Sequence, residues 1–386
     1  MTLTIAEPLT PPAPPTPASA PSALAAYQVA DSLLFTSEAS TLLAHGRRRL
    51  ITGSLAELPQ QVTTALSGEA GAEAIAAGAI SFDATTAHLI VPETVTWSGP
   101  LTPVAAPAPL GAWRIQREPA ETYLTGVQRA LQAIAAGTLD KVVLARALDV
   151  HTDRPLNLPH LLRRLAGRGR HVFAAPLPGG GTFLGASPEL LISRHGRQIA
   201  STPLAGSAAR SADPRTDRQR AEQLLHSTKD RHEHRLVVQA ITDALQPYCA
   251  LLHVPVEPVL ISTPTMWHLA TPITGRLRGD VDSLTLAAAV HPTPAICGTP
   301  TTAARHAIAE LEPAERGFYG GLVGWSDARG DGEWALAIRC AEAHDRRLRL
   351  WAGAGIVTGS KPHRELAETS AKLRTLLDAL AIPADA

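Results

Sequence analysis

The segments of this chain that carry strand and helix patterns come in groups, and this grouping constrains the fold more than any other feature. Short apolar runs such as Leu89-Ile90-Val91 stand apart from longer stretches with apolar residues every three or four positions. Grouped elements favour an α+β fold, because strict alternation would instead predict a parallel sheet. Helices are expected over 121–136, 158–167, 217–226, 230–246, 303–311 and 362–381, and strands over 79–82, 89–91, 141–150, 182–184, 189–193, 321–325, 334–340 and 348–352.

Length and proline content divide the chain into regions. Its 386 residues are enough for a large core. We expect one domain over 23–386, with a β-rich part over 23–110 and a part that carries the chemistry over 111–386. Residues 1–22 include a proline-rich and alanine-rich stretch that favours extended conformations, which predicts a disordered leader. The sequence shows no signal peptide, and no apolar run reaches the length of a membrane span.

Composition disfavours several classes of partner. The 35 Lys and Arg residues balance 35 Asp and Glu residues, so the positive surface of a nucleic-acid binder is not expected. Three widely separated cysteines, Cys249, Cys297 and Cys340, encode neither a disulfide framework nor a zinc site. The sequence therefore predicts a cytoplasmic protein, monomeric, with a small-molecule partner and with no nucleic acid or membrane as partner.

Charged residues in apolar surroundings indicate where chemistry occurs, because burying a charge is costly. Lys141 opens a strand, and Glu189 stands among the apolar residues of another. Burial without a partner raises the pKa of a glutamate, as a general acid requires. Each residue also has a simpler interpretation, since the lysine stem can cover a sheet edge and the glutamate can face solvent.

The helix pattern changes phase near residues 226–229, which predicts a break between two helices. On the second helix Glu233 falls among apolar residues, where a carboxylate needs a cation or a proton. His232 and His234 lie about 200° apart around a helix and cannot hold one metal ion together. We interpret both histidines as ordinary polar residues.

The C-terminal helix places Glu365, Glu368 and Lys372 on one side, beside a stripe of leucines. A surface pair between Glu368 and Lys372 would explain two of them. The preceding strand runs into Gly353 and Gly355, and we expect a glycine turn there that lets backbone amides approach an anion. Carboxylates on two helices beside an anion site suggest a small polyanionic substrate with Mg²⁺, which prefers oxygen ligands.

Several long motifs follow one another along the chain. They are Lys141-Val-Val-Leu-Ala-Arg146, Phe183-Leu-Gly-Ala-Ser-Pro-Glu189-Leu-Leu, Thr202-Pro-Leu-Ala-Gly206-Ser, Lys229-Asp-Arg-His-Glu-His, His268-Leu-Ala-Thr-Pro, His291-Pro-Thr-Pro-Ala-Ile-Cys-Gly298, Gly320-Gly-Leu-Val-Gly-Trp325, Ile338-Arg-Cys340 and Glu365-Leu-Ala-Glu-Thr369. In this order they resemble the chorismate-utilising enzymes, and most closely the isochorismate synthases of siderophore (2,3-dihydroxybenzoate) pathways. The resemblance covers about residues 115–375 and implies a large antiparallel β-sheet core surrounded by helices.

The resemblance also implies catalytic roles. Lys141 would be the general base that activates water, and Glu189 the general acid. Water would add at C2 of chorismate while the C4 hydroxyl leaves, which gives isochorismate. This chemistry needs a neutral lysine and a protonated glutamate. We therefore expect the two side chains on different sides of the substrate, with burial lowering the lysine pKa and raising the glutamate pKa.

The same resemblance implies a metal site and a substrate pocket. Glu233 and Glu368 would hold Mg²⁺, while Glu365 and Asp230 would hold metal-bound waters. Arg339 is similar to the residue that grips the enolpyruvyl carboxylate. The residues implied around the substrate are Gly206, His268, Ala295, Ile296, Arg339, Gly353, Gly355 and Lys372.

Related activities remain as alternatives. A salicylate synthase would go on to eliminate pyruvate, but the segment from His291 to Ile296 resembles synthases that stop at isochorismate. Anthranilate and aminodeoxychorismate synthases have another residue at the position of Lys141. The menaquinone type of isochorismate synthase matches less well from Cys297 to Pro300. From a different class, the chain could be a non-catalytic chorismate-binding relative.

Overall fold

Two large antiparallel sheets and one small sheet organise residues 23–67, 74–103 and 112–383, which the computed structural model describes. The leader predicted for residues 1–22 lies outside them. Sheet A consists of β1 (Ser32–Thr36), β2 (Thr41–His45), β6 (Thr94–Ser98), β7 (Trp113–Arg117), β8 (Lys141–Thr152), β9 (His171–Pro176), β10 (Thr182–Ser187), β18 (Gly298–Thr299), β21 (Cys340–His344) and β22 (Arg347–Val357).

Sheet B and the small sheet C use the remaining strands. Sheet B consists of β3 (Arg49–Ile51), β4 (Ile75–Ile80), β5 (Ala87–Val91), β11 (Leu190–His195), β12 (Gln198–Thr202), β14 (Cys249–His253), β17 (Ile273–Leu277), β19 (Leu322–Asp327) and β20 (Gly332–Leu336). Sheet C consists of β13 (Leu204–Ala209), β15 (Val259–Ser262) and β16 (Met266–Ala270).

Helices pack around these sheets. They are α1 (Ala23–Ala26), α2 (Leu58–Leu66), α3 (Ala120–Ala135), α4 (Leu158–Leu165), α5 (Pro214–His226), α6 (Thr228–Leu245), α7 (Ser283–Val290), α8 (Thr301–Leu311) and α9 (Pro362–Ala379), with a short 3₁₀ turn at Gln246–Tyr248. The predicted α+β class with a large antiparallel core is confirmed, and that core is divided between two large sheets. Strands from the N-terminal part of the chain join both of them.

Strand β1 in the middle of sheet A is buried on both faces, as the alternation of its side chains shows. Leu33 and Phe35 belong to the main core, which also contains side chains of sheet B. Leu34 points the other way, into a second core that includes leucines of α4 and α9. Continuous apolar runs in these strands therefore follow from burial on two sides. In the described part of the chain, no helix is long and apolar enough to cross a membrane.

The predicted break between two helices is confirmed, whereas one predicted strand is wrong. Ser227 separates α5 from α6, and its side chain accepts a hydrogen bond from the backbone N–H of Asp230. The strand expected over 334–340 is divided between β20 of sheet B and β21 of sheet A. Between them Arg339 adopts a φ of 51°, which strand geometry does not allow.

Candidate active site

A narrow cavity of ≈ 50 Å³, here called the inner cavity, brings together most of the residues that the motifs indicate. Its walls come from β8 and β22 of sheet A, β13 and β16 of sheet C, and helices α6 and α9. Lys141, Asp230 and Glu365 lie behind this lining rather than in it. The residues predicted for the site that line the cavity are Glu189, Gly206, Glu233, His268, Ala295, Ile296, Arg339, Gly353, Gly355, Glu368 and Lys372.

Lys141 is held at the start of β8, where its side chain is completely buried. Its Nζ lies 2.9 Å from Oε1 of Glu233, whose side chain is 10% exposed. The lysine therefore contacts a predicted metal ligand in this structure, and the neutral amine that the chemistry requires stays a prediction.

The predicted glycine turn is wrong, because Gly353 and Gly355 lie inside β22. They pair there with Ala145 and Val143 of β8 in a regular antiparallel register. A Cβ on Gly355 would lie 2.1 Å from Oε1 of Glu233. A Cβ on Gly353 would lie 2.8 Å from the hydroxyl of Tyr319. The glycines are needed for close approach of these side chains to the strand, not for a turn.

Glu189 has the environment of a protonated carboxylic acid. It is fully enclosed, and burial raises its pKa to about 8, although a backbone hydrogen bond and nearby cations act in the opposite direction. The backbone N–H of Leu204 donates to Oε1 of Glu189 at 3.2 Å. Nζ of Lys141 contacts Glu233, and Lys141 is also one of the cations whose charge lowers the pKa of Glu189.

Two more lysine and carboxylate pairs lie beside the first. Nζ of Lys229 on α6 is 2.8 Å from Oε1 of Glu365 on α9. Nζ of Lys372 is 2.5 Å from Oε1 of Glu368 and donates to the carbonyl oxygen of Gly353 at 2.9 Å. The pair between Glu368 and Lys372 thus forms at the expected helical spacing, but its side chains are only 18% and 13% exposed. It lies in the wall of the inner cavity and not at the surface.

The pKa shifts of several of these side chains show that their charges lie close together. Burial and the charges of Glu233 and Glu368 raise the pKa of Asp230. Burial and the charge of Glu368 raise the pKa of Glu365, against the effect of Lys229. Burial opposes ionisation of Glu368 as well, but Lys372 and Lys229 outweigh it and lower the pKa. Burial also disfavours the ammonium of Lys229, yet Glu365, Glu233 and Glu368 raise its pKa well above the usual value.

This carboxylate set suits a small, hard cation. Four acidic side chains with oxygen donors crowd one region, where an additional positive charge would relieve their repulsion. In the ranges that the structure describes, no three acidic, histidine or cysteine side chains already converge as metal ligands. The lysine pairs account for this, since three of the four carboxylates face an ammonium.

His268 and Arg339 supply polar groups to the cavity. His268 is buried, and its Nε2 has no hydrogen-bond partner within the described residues. Burial, together with the charges of Arg339 and Lys372, lowers the pKa of His268 well below its usual value, so the imidazole is neutral. A buried nitrogen without a partner is available to a ligand. Gly206, on the strand β13 that pairs with the strand of His268, has a φ of 78° and packs against Asp230.

Tyr319 lines the inner cavity and was missed by the sequence reasoning. Its ring stacks on that of Trp351 at 6.1 Å with an angle of 8° between the planes. Arg316 lies behind it and donates to the carbonyl oxygens of Ile296 at 2.6 Å and Val143 at 2.8 Å. The motif that begins at Gly320 is the sequence signal that could have found Tyr319, because it starts at the next residue.

Comparisons with known proteins show the family of this chain. A family model for chorismate binding enzymes matches residues 101–381. Isochorismate synthase DhbC of Bacillus subtilis (strain 168) is 49% identical to this chain over 355 residues, which span 86% of each protein.

Solved structures show the same fold. DhbC from Bacillus anthracis, assigned as a 2,3-dihydroxybenzoate-specific isochorismate synthase, superposes with a TM-score of 0.88 at 44% identity, over 94% of this chain and 99% of that one. MenF, the menaquinone-specific isochorismate synthase from Escherichia coli, superposes with a TM-score of 0.80 at 26% identity, over 93% of this chain and 90% of that one. The resemblance seen in the motifs is confirmed: the chain belongs to the family of chorismate binding enzymes.

Proposed function

We propose that this protein is an isochorismate synthase, an isomerase that adds water at C2 of chorismate while the C4 hydroxyl leaves. The observation that carries the proposal is that Glu189 lines the inner cavity as a buried acid, while Lys141, behind that lining, contacts another carboxylate. Glu189 is fully buried with a pKa of about 8, while Lys141 pairs with a different carboxylate. An acid that keeps its proton and an amine that does not form an ion pair with it are the two groups this isomerisation needs. The relatives named above support the same reaction.

The protons move through the chain's own side chains. Nζ of Lys141 accepts a proton from the attacking water, and the carboxyl of Glu189 donates one to the departing C4 hydroxyl. The contact between Lys141 and Glu233 has to be given up before Nζ can reach the attacking water, because the two side chains contact each other in this structure.

Binding requires the inner cavity to widen. Its ≈ 50 Å³ holds only a few water molecules and not a substituted ring. Arg339 and Lys372 offer positive charge to the two carboxylates of chorismate, and Nε2 of His268 is available as a further polar contact. The side chains of Ala295 and Ile296 cover the ring on the apolar side.

Mg²⁺ is the cofactor we propose for the carboxylate set. Glu233 and Glu368 would bind it, with Glu365 and Asp230 holding its waters. When bound, the ion neutralises a substrate carboxylate and helps to orient the ring.

We also propose a pathway for the product, an oligomeric state and a cellular location. Isochorismate is released for siderophore (2,3-dihydroxybenzoate) synthesis, which the likeness to two DhbC proteins supports. We propose a monomer, since the described residues of a single chain enclose the inner cavity. We place it in the cytoplasm, since its cysteines are free and buried.

The test is a product assay. Purified protein is incubated with chorismate and Mg²⁺, and the products are separated by chromatography. Isochorismate alone is expected, with turnover lost when EDTA is added. Salicylate with pyruvate would instead identify a salicylate synthase, anthranilate formed with ammonia would identify another branch, and unchanged chorismate would indicate a non-catalytic relative.

A further inference from the structure

Lys229 sits among the crowded carboxylates, yet the proposed reaction gives it no role. Its Nζ is 2.8 Å from Oε1 of Glu365, and this glutamate side chain is only 2% exposed. The charges of Glu233 and Glu368 act on the same ammonium. One lysine side chain thus provides positive charge in the region where a metal ion would otherwise supply it.

The other two lysines of the cluster have different positions. Lys372 lines the inner cavity, and Lys141 stands behind Glu233 at the head of β8. Lys229 does not line the cavity. It comes from the first turn of α6, next to Asp230, and reaches across to α9. Its contacts are therefore directed to the carboxylates and not to the substrate.

We propose that Lys229 is a competitor of Mg²⁺ that is built into the chain, holding Glu365 in the metal-free enzyme and keeping the affinity for the metal low. This inference rests on the proposed metal site. A carboxylate that faces an ammonium is less available to accept hydrogen bonds from metal-bound waters, and two cations in one carboxylate cluster repel each other. Removing the charge of Lys229 should therefore strengthen Mg²⁺ binding, even though the side chain is close to the ligands.

The experiment measures Mg²⁺ binding to the metal-free, full-length protein, without substrate. Isothermal titration calorimetry gives the Kd, and the rise in Tm on adding Mg²⁺ gives an independent readout. Lys229→Gln removes the charge but can still donate a hydrogen bond to Glu365, which favours correct folding. We expect its Kd for Mg²⁺ to be at least about fivefold lower than that of the wild type, and its Tm to rise more with Mg²⁺.

Two control variants separate this effect from a general change of charge. Lys229→Arg keeps the positive charge and should bind Mg²⁺ as the wild type does. Lys361→Gln removes one charge from the exposed residue that precedes the first turn of α9, and it should also leave the Kd unchanged. A low Kd in Lys229→Gln alone supports the competitor role.

Two results would overturn the inference. If the wild type binds Mg²⁺ and Lys229→Gln binds it equally or more weakly, Lys229 supports the metal site or is indifferent to it, and the inference alone fails. If the wild type does not bind Mg²⁺ at all, the proposed metal site fails and the inference fails with it.

Discussion

The two sides of helix α6 differ in the size of the opening they face and in how deeply their charged side chains are buried. One side carries Glu233 into the inner cavity of ≈ 50 Å³. The other side borders a wide groove of ≈ 780 Å³, here called the outer groove, with Arg231 and Arg235 in its lining. The larger opening holds charges that are solvated: Arg231 is 35% exposed and its partner Glu257 is 66% exposed. The small one holds buried lysines and carboxylates.

His234 forms part of the wall between these two regions. Burial lowers its pKa to about 4, so its imidazole is neutral. Its Nδ1 lies 3.2 Å from the carbonyl oxygen of Ala205, in the lining of the inner cavity, and its Nε2 lies 2.7 Å from Oγ1 of Thr271, in the lining of the outer groove. A carbonyl only accepts, so Nδ1 carries the proton and Nε2 accepts from the threonine hydroxyl. Volume alone would indicate the outer groove as the active site, whereas the buried charged side chains indicate the inner cavity.

The largest effect is expected from Lys141→Met. Removing the base should lower kcat by about 10²–10⁴-fold while the Kd for chorismate changes little, because the substrate charges are held by other residues. Steady-state kinetics and equilibrium dialysis measure the two quantities. Arg235→Met in the outer groove is the matched control and should leave kcat unchanged. Near-normal turnover by Lys141→Met would remove the lysine from the mechanism.

A smaller effect is expected from Gly355→Ala. The added methyl group would lie 2.1 Å from Oε1 of Glu233 and 3.0 Å from Cε of Lys141, so the buried pair has to move. Displacement of catalytic groups on this scale should lower kcat/KM by about 10²-fold. Gly279→Ala is the control, since a Cβ there meets no atom within 4 Å. Equal losses in both variants would show that the effect is not specific to the inner cavity.

The smallest effect concerns pH. The pKa of Glu189 is raised from 4.5 to about 8 in the folded protein, so the folded state binds more protons than the unfolded state between these values. Its contribution to stability is therefore complete below pH 4.5 and is lost as the pH rises through about 8. Glu189→Gln should flatten this slope by up to about 1.4 kcal/mol per pH unit in urea unfolding experiments.

A control and an activity profile complete this test. Glu257→Gln at the exposed edge of the outer groove should leave the pH slope of the unfolding free energy as it is. The kcat/KM of the wild type should fall on the alkaline side, near pH 8, as Glu189 loses its proton. Identical pH slopes in Glu189→Gln and the wild type would mean that this glutamate does not hold a proton in the folded protein.

Local pattern was sufficient for much of the fold. The break at Ser227 and the helix of Glu365 and Glu368 were predicted because helix periodicity and capping act over a few residues. The site residues came from the order of the motifs. Most of them do line one cavity.

Contacts between distant segments could not be predicted from such patterns. The pairing of β8 with β22 joins residues about two hundred positions apart, and it decides that Gly353 and Gly355 lie in a strand. The contact of Lys141 with Glu233 depends on how α6 lies against β8, and that of Lys229 with Glu365 on how α6 lies against α9, which no short window contains. Tyr319 was missed for the same reason, since its place is fixed by Gly353 and Trp351.

The register of β8 against β22 determines which residues of β22 face the active site. Gly355 stands opposite Val143 and Gly353 opposite Ala145, so the two positions without side chains fall on the face that meets Glu233 and Tyr319. A slip by one residue would turn the methyl groups of Ala352 and Ala354 to that face. A chain that paired these strands one residue out of register could still form a sheet, but it would leave no room for Glu233 and Tyr319 against β22.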